Sequence, residues 1–309
     1  MLTEEKVMKR RKNTGNRRLS LAASLFAVII AVVMMTFLPG YFEDDVQDSS
    51  LGYLDYPFCV TFFDVGQGDG ALISCDGYNI LVDGGEWENS STITRFLKEE
   101  NIEKIDAYIL SHPHSDHIGA APEIIESIEC DKIFTTYFSE FNIPTTNVYE
   151  KVIDAIYEYD VEAVIVEAGD SFTFGELEID IVAPMVESDD YNAMSIVFTA
   201  TYKDTTVLFT GDTTRAVERQ ILENDYDVDA DFLKVAHHGS VTSSLPEFID
   251  AVSPDYALFS CGVNNSYGHP HLEIKSIFSE RDIATYQTSY NGTVFYFGDG
   301  YDMSVETSK

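Results

Sequence analysis

The chain has 309 residues, of which 45% are apolar and 13% aromatic. That is enough for one large core or two small ones, and too apolar for a wholly disordered chain. Its 19 Lys and Arg against 53 Asp and Glu give a formal charge of −34, which argues against a protein devoted to gripping phosphate backbones, and four Cys exclude a disulfide-dense scaffold.

The charge is uneven along the chain. Residues 1–18 hold seven basic and two acidic residues, so residues 19–309 carry 12 basic against 51 acidic, a formal −39. The run 19–42 has no charged side chain and ends at Pro39 and Gly40. Its length suits a helix crossing a hydrocarbon core of roughly 30 Å. The basic flank places its N-terminal side in the cytoplasm and the remaining chain outside. The expected organisation is a basic cytoplasmic tail (1–18), a signal-anchor transmembrane helix (19–42), an acidic linker (43–56) and a folded domain (57–309). A cleaved signal peptide and a secreted domain form the alternative. The apolar run is longer than a usual signal core and no A-x-A-like site follows it.

The folded region alternates strands and helices. Strands are predicted at 59–65, 70–75, 79–83, 107–110, 132–136, 163–167, 179–184, 195–202, 205–211, 232–236, 256–260 and 292–298, where β-branched and aromatic residues sit between Gly, Asp, Asn or Pro. Helical periodicity falls at 91–102, 121–128, 148–159, 213–224, 245–252 and 272–280. This is an α/β pattern, with helices covering the outsides of sheets. Cys59 and Cys75 flank the turn-rich GQGDG segment. If 58–65 pairs with 70–75, they either face each other as a disulfide or stand as small buried hydrophobes. Cys130 and Cys261 have no evident partner.

All seven His fall in three clusters: His112, His114 and His117 in SHPHSDHIGA, the pair His237 and His238, and His269 with His271 in GHPH. His112, His114, Asp116 and His117 follow the strand 107–110, and Pro113 turns that segment into a loop. Imidazole and carboxylate are good ligands for Zn²⁺ and similar ions. Asp212 ends one strand and Asp83 another, where α/β sheets place functional side chains. His237 and His238 follow a third strand. Neighbouring strand residues point to opposite faces, so a regular strand to that point would give the site one of the two.

The segments FFDVGQGDGALI (62–73), ILVDGG (80–85), SHPHSDHIGA (111–120), SIVFTATYKDTTVLFTGD (195–212), LKVAHHGSVTSS (233–244), YGHPH (267–271) and YNGTVFYFGDG (290–300) resemble, in the same order, those of metallo-β-lactamase-fold hydrolases. The chain most resembles the extracytoplasmic nuclease-like domain of the ComEC competence family, and more distantly phosphorylcholine esterase. The resemblance covers about residues 57–300 and implies a four-layer αββα sandwich with a metal site at one edge. It implies that His112 and His114 bind one ion and that Asp116 and His117 bind a second. Asp212 would bridge them, His238 would complete the second site, and Asp83 would brace the metal loop. Asp116, His237 and His269 are the catalytic candidates. Many members of the superfamily supply a further His between the first motif and the bridging Asp. This chain has none between 118 and 236 and offers the polar Asn192 near that position. The implied cofactor is one or two Zn²⁺ ions, with Mn²⁺ also suited to carboxylate ligands.

The activity implied is metal-dependent hydrolysis of a phosphodiester, with nucleic acid as one substrate class. Small choline-phosphate or teichoic-acid esters are the alternative, and a β-lactamase is less well matched. Lys203, Lys234 and Arg215 are candidates for a local basic groove. Tyr191, Tyr267 and Trp87 are candidates for a cation-binding pocket. Protein partners and oligomeric state are not legible.

Overall fold

The structure is a computed structural model and describes residues 52–309. The expected tail, the membrane helix and most of the linker lie outside the described residues. Among the described residues no helix is long and apolar enough to cross a membrane.

The first half opens with the meander β1 (Phe58–Phe62), β2 (Gly70–Cys75) and β3 (Tyr78–Asp83). Helix α1 (Ser90–Glu99), β4 (Lys104–Ile105) and β5 (Ala107–Ile109) follow. Next come the single turn α2 (Ser115–Ile118), α3 (Ala121–Ser127), β6 (Glu129–Cys130), β7 (Lys132–Thr135), α4 (Asn147–Glu158) and β8 (Glu162–Ile165). The second half runs β9 (Ser171–Phe174), β10 (Leu177–Ala183), β11 (Val197–Tyr202), β12 (Thr205–Phe209), α5 (Arg215–Glu223) and β13 (Phe232–Lys234). It continues with α6 (Pro246–Val252), β14 (Tyr256–Phe259), α7 (Leu272–Ser279), β15 (Ala284–Gln287) and the single turn α8 (Thr288–Asn291). The chain then returns to the first sheet with β16 (Val294–Gly298) and β17 (Met303–Thr307).

Two mixed sheets result. One has the order β17-β16-β1-β2-β3-β5-β7-β8, the other β15-β14-β13-β12-β11-β10-β9. Alternation along the strands sorts the apolar side chains into three cores. Phe58, Val60, Phe62, Ile73 and Ile80 meet Ile179, Phe198, Phe209 and Phe232 between the sheets. Phe63, Leu72, Leu81 and Tyr108 face the other way, against Ile93, Phe96 and Leu97 of α1 and Ile124 and Ile125 of α3. Leu208, Leu233, Ala257 and Phe259 pack on Val217 and Ile221 of α5, Phe248 and Ile249 of α6 and Ile274 of α7. The layers are therefore helix, sheet, sheet, helix. The spacings i, i+3, i+4 in α1 and i, i+4 in α5 put their apolar stripes on the sheets.

Within the described residues, every strand and helix expected from the sequence is present, with ends shifted by a few residues. The elements not foreseen are short or marginal. β9, β15 and β17 bury at most one face, so their sequences are too polar to stand out. Residues 53–56, assigned to the linker by composition, pack on the body: Tyr53 lies 4.6 Å from Phe295 and 4.5 Å from Phe297, and Tyr56 4.8 Å from Phe297.

The disulfide reading of Cys59 and Cys75 is corrected. β1 and β2 do pair antiparallel, but Cys59 stands opposite Ser74 and Cys75 opposite Phe58. That one-residue offset sends Cys75 into the inter-sheet core and Cys59 toward the helices. All four cysteines are free thiols.

Candidate metal centre

Parallel strands of both sheets end at the same edge, and β3, β5, β12, β13 and β14 deliver the site residues there. β3 ends at Asp83, and β5 runs into Ser111 and the 112–117 loop. β12 leads to Asp212, whose N–H donates to Ser195 Oγ at 3.0 Å. β13 leads to His237 and His238, and β14 to Ser260. One backbone bond ties the sheets together at this edge, Ile196 N–H to Ser111 O at 2.9 Å.

Asp212 is the hub. Its Oδ1 lies 3.2 Å from His117 Nε2 and 3.5 Å from His238 Nε2. Its Oδ2 lies 3.8 Å from His112 Nε2 and 3.6 Å from His237 Nε2. His114 Nδ1 is 3.0 Å from His112 Nε2. Ligand-type atoms of His112, His114 and Asp212 all fall within 4.8 Å of one another, as do those of Asp69, His117, Asp212 and His238. The carboxylate thus faces one imidazole set with each oxygen. Asp116, which is part-exposed, places Oδ2 3.4 Å from His238 Nε2 on the second side.

The donor set fits a divalent ion. His117 Nε2, His238 Nε2 and Asp212 Oδ1 are all buried without a hydrogen-bond partner, which is rare unless another group satisfies them. The opposite ring nitrogens are engaged. His117 Nδ1 is 2.8 Å from Asp83 Oδ2, and His238 Nδ1 donates to Ser260 O at 2.8 Å. These contacts fix the rings with Nε2 turned to the site, as ion-binding histidines require. Asp83 lies behind the loop, in contact with both His117 and Ser111. Its own oxygens accept from Ser111 N–H at 2.8 Å and Ser111 Oγ at 2.7 Å.

The electrostatics favour cations. Burial opposes a charge on His117, yet Asp212 and Asp83 outweigh it and hold the pKa well above the usual imidazole range. His238 is raised to about 9 against burial by Asp212 and Asp69. Burial opposes ionisation of Asp212, but the surrounding imidazoles hold its carboxyl well below the usual range. His112, next to no such surplus, is pushed well below the usual range by burial and by His117.

His237 and His238 correct the strand argument. β13 ends at Lys234, and both residues then adopt left-handed backbone, φ 50° and 55°. Period-two alternation no longer applies, so both rings reach the site. His237 turns Nε2 to Asp212 and Nδ1 to Thr242 Oγ1 at 2.9 Å.

A cleft of about 470 Å³ opens over the centre, with Gln67, His114, Asp116, Asn192, His237 and His269 in its wall. Asn192 Oδ1 and His269 Nδ1 are buried there without partners. Burial, then His238 and His237, lower the pKa of His269 to about 4. Tyr267, 64% exposed, stacks on the His269 ring at 5.5 Å. Tyr191 meets the His114 ring edge-on at 6.1 Å. Trp87 does not line the cleft, so the three aromatics form no common cage.

The expected basic groove is also corrected. No Lys or Arg lines the cleft. Lys203 caps the far end of β11, where Nζ donates to Asp299 O at 2.9 Å. Arg215 Nε donates to Ser243 O at 3.2 Å. Lys234 is buried against Asp69.

Asp69 was not foreseen as a site residue. It lies behind the imidazoles, Oδ1 3.3 Å from His238 Nδ1 and Oδ2 3.8 Å from His117 Nδ1. These are the engaged nitrogens, so Asp69 orients the rings from the rear rather than facing an ion. The signal was Lys234: β13 alternation points it between the sheets, and a buried ammonium needs a carboxylate.

Two mixed sheets between helices, with a buried His/Asp centre at their edge, define a metal-dependent hydrolase of the metallo-β-lactamase fold. The chain belongs to the beta-lactamase superfamily, whose domain model matches residues 78–243. It is 30% identical over 258 residues to ComE operon protein 3 of Bacillus subtilis, covering 77% of this chain and 32% of that one. It is 27% identical over 244 residues to the competence protein ComA of Neisseria gonorrhoeae, covering 78% and 32%. The chain therefore spans about a third of the length of these relatives. Among solved structures, the metallo hydrolase Igni18 of Ignicoccus hospitalis shares the fold with TM-score 0.52 at 16% identity, over 77% of this chain and 98% of that one. YhfI of Bacillus subtilis, a metallo-beta-lactamase fold protein, does so with TM-score 0.51 at 16% identity, over 74% and 95%.

Proposed function

We propose that the domain is an extracytoplasmic, metal-dependent phosphodiesterase that uses one or two Zn²⁺ ions, with Mn²⁺ as the other suitable ion. The supporting observation is the division of Asp212, whose Oδ1 faces His117 and His238 while Oδ2 faces His112 and His237. His112, His114, His117, His238 and Asp212 would hold a divalent ion there, which would lower the pKa of water from about 15.7 toward about 7 and polarise an ester oxygen. Asp116 Oδ2 borders the cleft and, despite burial, is held ionised by His238 and His117. It is placed to accept a proton from the attacking water. His269, neutral near pH 7, would hydrogen-bond a substrate oxygen, as would the unpaired Asn192. His237 would hold the cleft side of Asp212.

A small diester, such as a cell-surface choline-phosphate or teichoic-acid group, fits better than a nucleic acid. A cleft without Lys or Arg in its wall has nothing to neutralise successive phosphates. The membrane location rests on the basic flank and uncharged run of residues 1–42.

The test is metal analysis of the purified full chain with a comparison of substrates. One to two divalent ions per chain are expected, most of them lost in His114→Ala. Hydrolysis of bis(p-nitrophenyl) phosphate should outpace that of nitrocefin, and phosphorylcholine esters should outpace plasmid DNA. Absence of bound ions from the unmutated chain, or nitrocefin as the faster substrate, overturns the reading.

A further inference from the structure

Beside the metal cleft lies a second cavity of about 340 Å³, and no part of the proposed mechanism uses it. It sits under α4, over the ends of β5 and β7. Its wall is mostly apolar, including Leu110, Val152 and Ile153, with Asp160 as its acidic residue. The volume is that of a small-molecule site.

Three observations connect it to the metal centre. His112, which faces Asp212 Oδ2, also lines this cavity. Pro113 lines both spaces. The start of α4 divides them, with Thr146 and Val148 on the cleft side and Tyr149 and Val152 on the cavity side. Across this divide runs a chain of edge-on aromatic contacts. His114 meets Tyr191 at 6.1 Å, Tyr191 meets Phe138 at 5.7 Å, and Phe138 meets Tyr149 at 6.1 Å. These packed rings, with His112 and Pro113, make up the partition between the two spaces.

We propose that this cavity is a second substrate subsite that takes the apolar arm, aryl or short alkyl, of a phosphodiester whose phosphorus sits in the cleft. The proposal rests on the phosphodiesterase reading and narrows its substrate class. A diester has two arms. One departs with the scissile bond, and the other must lie somewhere while the bond breaks. The cleft supplies polar atoms for the phosphate, and the cavity supplies apolar wall for the retained arm. Burying that arm there removes its apolar area from water.

The test uses the metal-loaded full chain and diesters that share one leaving group. p-Nitrophenyl phenyl phosphate and p-nitrophenyl hexyl phosphate are compared with p-nitrophenyl methyl phosphate. At least a tenfold higher kcat/KM is expected for an apolar arm. Ala163→Trp, at an exposed position in the cavity wall on β8, and Ile153→Trp both fill the cavity without touching the metal site. Each should bring the ratio close to one, through KM, at unchanged metal content and unchanged methyl-ester turnover. A ratio near one in the unmutated chain, or a ratio that survives both fillings, overturns the subsite. If none of the diesters is hydrolysed, the phosphodiesterase reading fails. The subsite is then decided by binding of hexylphosphonate against methylphosphonate. Tenfold tighter binding of the hexyl compound, lost in Ala163→Trp, upholds it, and equal affinities overturn it.

Discussion

Lys234 Nζ lies 2.5 Å from Asp69 Oδ2, with 5% and 8% of the two side chains exposed. The ammonium also donates to Val235 O at 2.9 Å. Burial alone would raise the pKa of Asp69, but Lys234, then His238 and His117, bring it down to about 2. The pair sits behind the two histidines of the second ion position and offsets one of the carboxylates gathered there.

Removing one member of such a pair leaves a buried charge without its partner. Lys234→Met is expected to lower the unfolding free energy by about 3–5 kcal/mol. The double variant Lys234→Met, Asp69→Leu should regain much of that loss. Urea denaturation of the three chains reads both effects, and a Lys234→Met loss below about 1 kcal/mol would refute the pairing.

Asp83 acts on the ion through His117. Asp83→Asn keeps the size but loses the charge that orients Nδ1. Ion affinity should fall about 10–100-fold while the fold persists. A chelator-competition titration measures the change, and equal affinities would remove Asp83 from its bracing role.

His238 holds a proton up to about pH 9, because Asp212 and Asp69 outweigh the burial that opposes its charge. Ion binding needs the neutral ring, so uptake below pH 9 must release that proton. His117 is held protonated by Asp212 and Asp83 in the same way, so apparent affinity is expected to climb more steeply than about tenfold per pH unit between 7 and 9. Calorimetry in buffers of different ionisation enthalpy should report about two protons per ion. A buffer-independent heat would contradict this assignment.

Most of the site was legible because its chemistry is concentrated in strings. His112, His114, Asp116 and His117 lie within six positions, and Asp212 and Asp83 end recognisable strands. Geometry hid the remainder. Residues 237 and 238 both enter the site only because the chain leaves β13 and takes two left-handed steps, which strand periodicity does not encode. Lys234 has the look of a surface cation near a motif, yet alternation in β13 buries it. The cysteines depended on a register of one residue. The sheets themselves were read well where both faces are covered, as in β2 or β12, and poorly at edges such as β15 and β17.

Gly68 tests how tightly the GQGDG loop wraps the site. Its φ is 127°, and an added Cβ would collide with the backbone oxygen of Asp116. Asp69 N–H donates to that same oxygen at 3.1 Å. Gly68→Ala should cost at least about 2 kcal/mol and displace Asp116. Thermal unfolding checks the cost, and a melting temperature within a degree of the unmutated chain would argue against this packing.

Glu218 supplies a pH signature away from the ion. It is buried in α5 and accepts from Ser244 N–H at 2.6 Å and Leu245 N–H at 2.8 Å. Burial outweighs these bonds and raises its pKa from 4.5 to about 7. Between those values the folded chain holds a proton that the unfolded chain has released. Its contribution is therefore fully present below pH 4.5 and lost as pH rises through 7, a change of about 3 kcal/mol. Glu218→Gln should flatten this part of the stability–pH curve. An unaltered slope in that variant would assign the dependence elsewhere.

Strand β1 carries one further implication. Residues 58–62 lie in the middle of their sheet, flanked on one side by β2 and on the other by residues 294–298. A nascent chain released from the ribosome up to residue 290 would still lack that neighbour, leaving Phe58 and Phe62 on an unzipped border. The sheet can close only after residues 294–298 have emerged, so this border stays open while the whole second half of the domain is made, and products truncated before β16 should be recognised by chaperones and proteases.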